Sequence, residues 1–159
     1  MALPAIELFE LKQEQLHEFW PFLLRGLTDI KKSIVPNWIP EDMYSALRER
    51  QVACLIGRID DQLIGFIIYS RQLRSFNFKP ELFIWCYWAI PLREWPAEAD
   101  VLQLGQKAWA FLVEVAEKQY NAEEITFVTT PSRARAFERK WKLRPAWVTL
   151  TISTKLSPY

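Results

Sequence analysis

The chain has 159 residues, half of them hydrophobic, which is one domain's worth of chain with ample material for a single core. Twenty Lys and Arg against 19 Asp and Glu leave a formal charge of +1, so no global field draws in nucleic acid or an anionic membrane. Two cysteines, Cys54 and Cys86, are too few for a disulfide scaffold, each lies in an apolar run, and the single His17 rules out a histidine-rich metal site.

In chain order, "AIELFEL" alternates as a strand. Gln13 to Lys32 then carries Leu16, Phe19, Leu23, Leu24 and Leu27 at helical spacing, with Pro21 expected to kink or split the helix. "PEDMYSALRER" opens on Pro40 with Glu41 and Asp42 and ends basic, as the helix dipole prefers. "VACLIGRIDDQLIGFIIYS" is two β-rich runs around Asp60-Asp61, a hairpin signal, and "SFNFKPE" reads as a loop.

"ELFIWCYWAI" is apolar on both alternating sets, which predicts a strand covered on both sides. Leu82, Ile84, Cys86, Trp88 and Ile90 are expected on one face, and Phe83, Trp85, Tyr87 and Ala89 on the other. Residues 100 to 120 form the clearest helix, with Val101, Leu104, Ala108, Phe111, Leu112 and Val115 directed inward. "EITFVTT" is a strand, "PSRARAFERKWKLRP" a short basic helix, and "AWVTLTISTKL" a final strand.

A strand, helix, strand crossover at 81–130 beside antiparallel pairs predicts an α/β fold in one domain over 1–159, a mixed sheet of six to seven strands with helices on both faces. Such sheets bind ligands beyond the carboxyl ends of their strands, here "WAIPLREW". The amino terminus shows no leader and no segment has the length of a membrane span, so a cytoplasmic protein is expected, with a virion-associated one as the alternative. Eight tryptophans scattered from Trp20 to Trp147 leave some for a ligand site, a protein partner or an oligomer interface.

The element order, "AIP" at 89–91 before the long helix, Gly65 in the third strand, and Ala134 and Lys140 in the basic helix together resemble the GNAT superfamily of acetyl-CoA-dependent N-acetyltransferases. The resemblance implies acetyl-CoA as cofactor and an amine of a small molecule or protein as substrate. It places the cofactor against the main chain of Trp88 and Ile90 and against Arg93, Ala134 and Arg135, with Glu81, Tyr87 and Glu138 as catalytic candidates and no metal. The sequence departs from the family pattern at Pro131, Glu138 and Lys142-Leu143, which stand where the family has Asn, Tyr and Gly-Phe. It departs again in "LREWPAEADVLQLG", which lacks the glycines of a phosphate loop and sets Glu94, Glu98 and Asp100 against Arg93. A degenerate relative that uses the cleft or a tryptophan-bearing face to bind a partner, as in a bacteriophage particle, is therefore the alternative reading. The six cations between Arg133 and Arg144 suit either an anion site or a solvated helix face.

Overall fold

A computed structural model describes residues 4–33, 38–74 and 76–127, together with Arg135 and Arg139. The chain divides into two compact units, Met1–Phe127 and Val128–Tyr159. The expected final strand and most of the basic helix, Ala134 and Glu138 included, lie outside the described residues.

The first unit is a five-stranded mixed sheet in the order β1 (Ile6–Glu10), β2 (Ala53–Ile59), β3 (Gln62–Leu73), β4 (Pro80–Ala89), β5 (Ile125–Phe127). The first four strands pair antiparallel in sequence order, and β5 pairs parallel to β4 through Leu82 with Ile125 and Ile84 with Phe127. Short connections make β2, β3 and β4 a meander, whereas β1 reaches β2 through the helical segment between them. Asp60 and Asp61 join β2 to β3 with φ of 46° and 68°, the doubly left-handed turn whose twist matches that of a hairpin. The parallel step needs a crossover, and α3 (Val101–Glu114), continued by a π-helical turn at Val115–Gln119, supplies it.

Helices cover both faces. Cys54 and Leu55, neighbours on β2, point to opposite sides as strand geometry demands. Cys54 joins Ile56, Phe66 and Ile68 beneath α1 (Leu16–Ser33) and α2 (Pro40–Arg48), while Leu55 joins Tyr69, Leu82 and Ile84 beneath Leu112, Val115 and Ala116 of the α3 segment. Pro21 sits inside α1 without splitting it, because it removes only one hydrogen bond near the start of an 18-residue helix. Val101, expected inward, is exposed together with Leu102 on the first turn of α3.

On β4 the expected alternation breaks. The register with β3 runs Ile68 with Cys86 and then Tyr69 with Ile84, so Trp85 is an extra residue, a β-bulge. Its insertion inverts the faces. Leu82 and Ile84 pack under α3, whereas Cys86 and Trp88 pack under α1 and α2, and Tyr87 lies on the α3 side. The two cysteines are free and buried, and no described helix is long and apolar enough to cross a membrane.

Candidate functional site

The end of β4 and the turn after it are built around Trp88. On the α1 side its indole meets Phe22 at a centroid distance of 5.6 Å and Phe66 at 6.0 Å. The Arg25 guanidinium lies 5.4 Å from its ring centroid and donates to both carboxylate oxygens of Glu94, at 3.0 and 2.8 Å. This fork joins α1 to the turn following β4, and pairs a carboxylate that the sequence set against a phosphate. Arg25 and Glu94 stand 69 positions apart, and no local pattern connects them.

The turn is rigid. Trp95 Nε1 donates to Ile90 O at 2.9 Å, and Gln62 Nε2 donates to Glu94 O at 2.7 Å. Asp100 caps α3, its Oδ1 accepting from Gln103 N at 3.1 Å. The main-chain N–H groups of Glu94, Trp95, Ala99 and Leu104 are taken by carbonyls within the same stretch, and Pro91 and Pro96 have none. Arg93 is exposed.

The ladder geometry corrects one expectation. Ile90 N donates to Ile64 O at 2.8 Å, and a Cβ on Gly65 would meet Trp88 O at 2.4 Å, so Trp88 and Ile90 both turn their main-chain groups toward β3. Since these groups alternate along a strand, the ones directed away from β3 belong to Tyr87 and Ala89. The edge that could receive an extended ligand is therefore displaced by one residue from the sequence expectation.

The two described catalytic candidates, Glu81 and Tyr87, lie apart on β4. Glu81 is buried at the start of β4, where its Oε2 accepts from Thr126 Oγ1 at 2.9 Å and from Arg74 Nε at 3.3 Å, and Arg74 also pairs with Glu124. That network clamps β4, β5 and the β3–β4 hairpin, roughly 25 Å along the strand from Ala89. Tyr87 is half-buried near the carboxyl end, its ring edge-on to Phe127 with centroids 6.4 Å apart. Arg135, in the second unit, is exposed and helical, its carbonyl accepting from Arg139 Nε at 3.4 Å. Two open cavities of about 440 and 680 Å³ lie toward the amino end of β4 and reach neither Ala89 nor Ile90.

Burial pushes the Cys86 thiol up to about 12 and the Cys54 thiol well above its ordinary value, so both are inert as nucleophiles. Burial, with Glu10 beside it, also raises Tyr69, whose hydroxyl donates to Glu10 Oε2 at 3.3 Å. Among the described residues no group of His, Cys, Asp or Glu is placed to hold a metal ion. Of the six tryptophans described, Trp85 alone is exposed, at 38%, and its Nε1 donates to Ser70 Oγ at 2.9 Å.

No protein-family description and no curated protein matches this sequence. Solved structures do match its fold. A ribosomal-protein-alanine N-acetyltransferase from Brucella melitensis biovar Abortus 2308 superposes with a TM-score of 0.64 at 15% identity, over 94% of this chain and 99% of that one. A predicted acetyltransferase from Clostridium acetobutylicum, solved with acetyl-CoA, gives 0.63 at 14% identity over 92% and 96%. An aminoglycoside N-acetyltransferase in complex with CoA gives 0.62 at 14% identity over 96% of each chain. The fold is that of the GNAT acetyltransferases.

Proposed function

We propose that this chain is an N-acyltransferase that moves an acyl group from a thioester to an amine of a small molecule or protein, in the cytoplasm, where Cys54 and Cys86 stay reduced. The observation that carries this reading is the likeness of fold, across nearly the full length of both partners, to acetyltransferases that include complexes with CoA and acetyl-CoA. A bound thioester supplies an activated acyl carbon. The edge of β4 at Tyr87 and Ala89 suits an extended, amide-bearing thiol arm, which main-chain groups can hold as an added strand.

Of the two described catalytic candidates Tyr87 is the one at that edge, and its Oη is assigned to holding the proton that the leaving sulfur takes up. Glu81 is assigned to positioning β4 against β5 through Thr126 and Arg74. The residues do not suit the diphosphate of coenzyme A. Asp100 places a carboxylate at the amino end of α3, and no glycine lies between Gly65 and Gly105 to let a phosphate approach the main chain.

Incubation with acetyl thioesters and a panel of aminoglycosides, polyamines and amino-terminal peptides, read by mass spectrometry, tests the proposal. An acetylated amine is expected, and Tyr87→Phe should lower kcat by roughly a hundredfold while KM changes little. Absence of both thioester binding and transfer to every amine would favour a second reading, a GNAT-fold module that binds a protein partner. The glycine-free, acid-capped turn is the observation on that side.

A further inference from the structure

Where a nucleotide-bearing thioester would lodge its diphosphate, the described residues after β4 include no glycine before Gly105 and set three acidic side chains, Glu94, Glu98 and Asp100, against Arg93. The amino end of a helix attracts anions because its first N–H groups lack internal partners. Here the Asp100 carboxylate already accepts from Gln103 N, and its charge opposes any second anion. Arg25, the cation on α1 that reaches this turn, is taken by both oxygens of Glu94. Glu98 adds another exposed carboxylate, leaving Arg93 outnumbered. The same stretch carries three exposed apolar side chains instead, Leu92 at 69%, Val101 at 46% and Leu102 at 59%.

From this we infer that the acyl donor is a thioester with an uncharged thiol portion at this position, of the pantetheine type without the nucleotide diphosphate. The inference rests on the acyltransferase reading and narrows its donor class. The transfer balances without a further reactant. The amine nitrogen forms a bond to the acyl carbon, the carbon–sulfur bond breaks, and the proton lost by the amine ends on the released thiol. The apolar side chains at Leu92, Val101 and Leu102 then lie beside a neutral arm, which asks for no counter-charge.

Calorimetric titration of the full-length protein with pantetheine and with coenzyme A tests the inference independently of the acceptor amine. Pantetheine should bind with a Kd within about threefold of that of coenzyme A, because the diphosphate contributes no net attraction. Asp100→Asn keeps a good helix cap while removing the charge, so it should tighten coenzyme A by roughly two- to fivefold and leave pantetheine unchanged. Should the variant lose its fold, Glu98→Gln asks the same question away from the cap. Coenzyme A binding ten times tighter than pantetheine, or tightening neither ligand on loss of the carboxylate, would overturn the donor assignment while sparing the acyltransferase reading. Binding of neither ligand would remove the acyltransferase reading itself, and the donor assignment with it.

Discussion

At Gly26 of α1 two opposing magnitudes decide a substitution. Alanine favours a helix interior over glycine by about 1 kcal/mol. A Cβ at this position, however, would lie 2.3 Å from Phe66 Cε1 and 2.7 Å from Trp88 Cε3, far inside contact distance with two packed rings. Overpacking of this kind costs about 1–3 kcal/mol, and neither ring can retreat easily, since Phe22 closes on both. The clash should win. Gly26→Ala is expected to lower stability by up to about 2 kcal/mol, read as a reduced urea midpoint at an unchanged slope. A rise in the midpoint would show that α1 can lift from the sheet, and with it Arg25 from Glu94.

Among the elements, the β2–β3 hairpin offers a gain. Asp61 adopts a φ of 68° that glycine accepts without strain, and the preferred residues of this turn are Asn-Gly or Asp-Gly. Asp60 must keep its side-chain oxygen, because Oδ1 accepts from Ala5 N at 2.8 Å and so ties the start of the chain to the turn. Asp61→Gly should therefore stabilise by about 0.5 kcal/mol, the relief of strain exceeding the added freedom of the unfolded chain, and raise Tm by about 1–2 °C in a thermal melt. An unchanged or lower Tm would mean that the strain is absorbed elsewhere. This turn was legible in the sequence because two acidic residues interrupt two β-rich runs, and the described helices were legible because most of their apolar positions recur at a single period, Val101 excepted. The bulge at Trp85 was not. It inserts one residue into a strand that is apolar on both faces, so the alternation carries no phase that a slip could disturb. Nor was the partnership of Arg25 with Glu94, which exists only because α1 packs across the end of β4. The edge at Tyr87 and Ala89 was placed one residue off because main-chain direction along β4 depends on its pairing with β3, which side-chain pattern does not report.

The molecule as a whole couples its stability to pH through groups that the sheet buries uncharged. Cys86 is pushed up to about 12 by burial, and Cys54 and Tyr69 are also raised, chiefly by burial, with Cys86 and Glu10 adding to Cys54 and Glu10 adding to Tyr69. In the unfolded chain thiols ionise near 8.5 and the phenol near 10, so above about pH 8.5 the unfolded state releases protons that the folded state retains. The unfolded state then binds fewer protons, and stability falls as pH rises. The contribution of these groups is complete below about pH 8 and is lost progressively toward pH 12. Urea midpoints at neutral pH and at about pH 10.5 should therefore differ, with the alkaline value the lower. Cys86→Ala should flatten that decline although it lowers the neutral midpoint slightly by leaving a small void beneath α1. An equal decline in the variant would show that the Cys86 thiol ionises as readily in the folded sheet as in the unfolded chain.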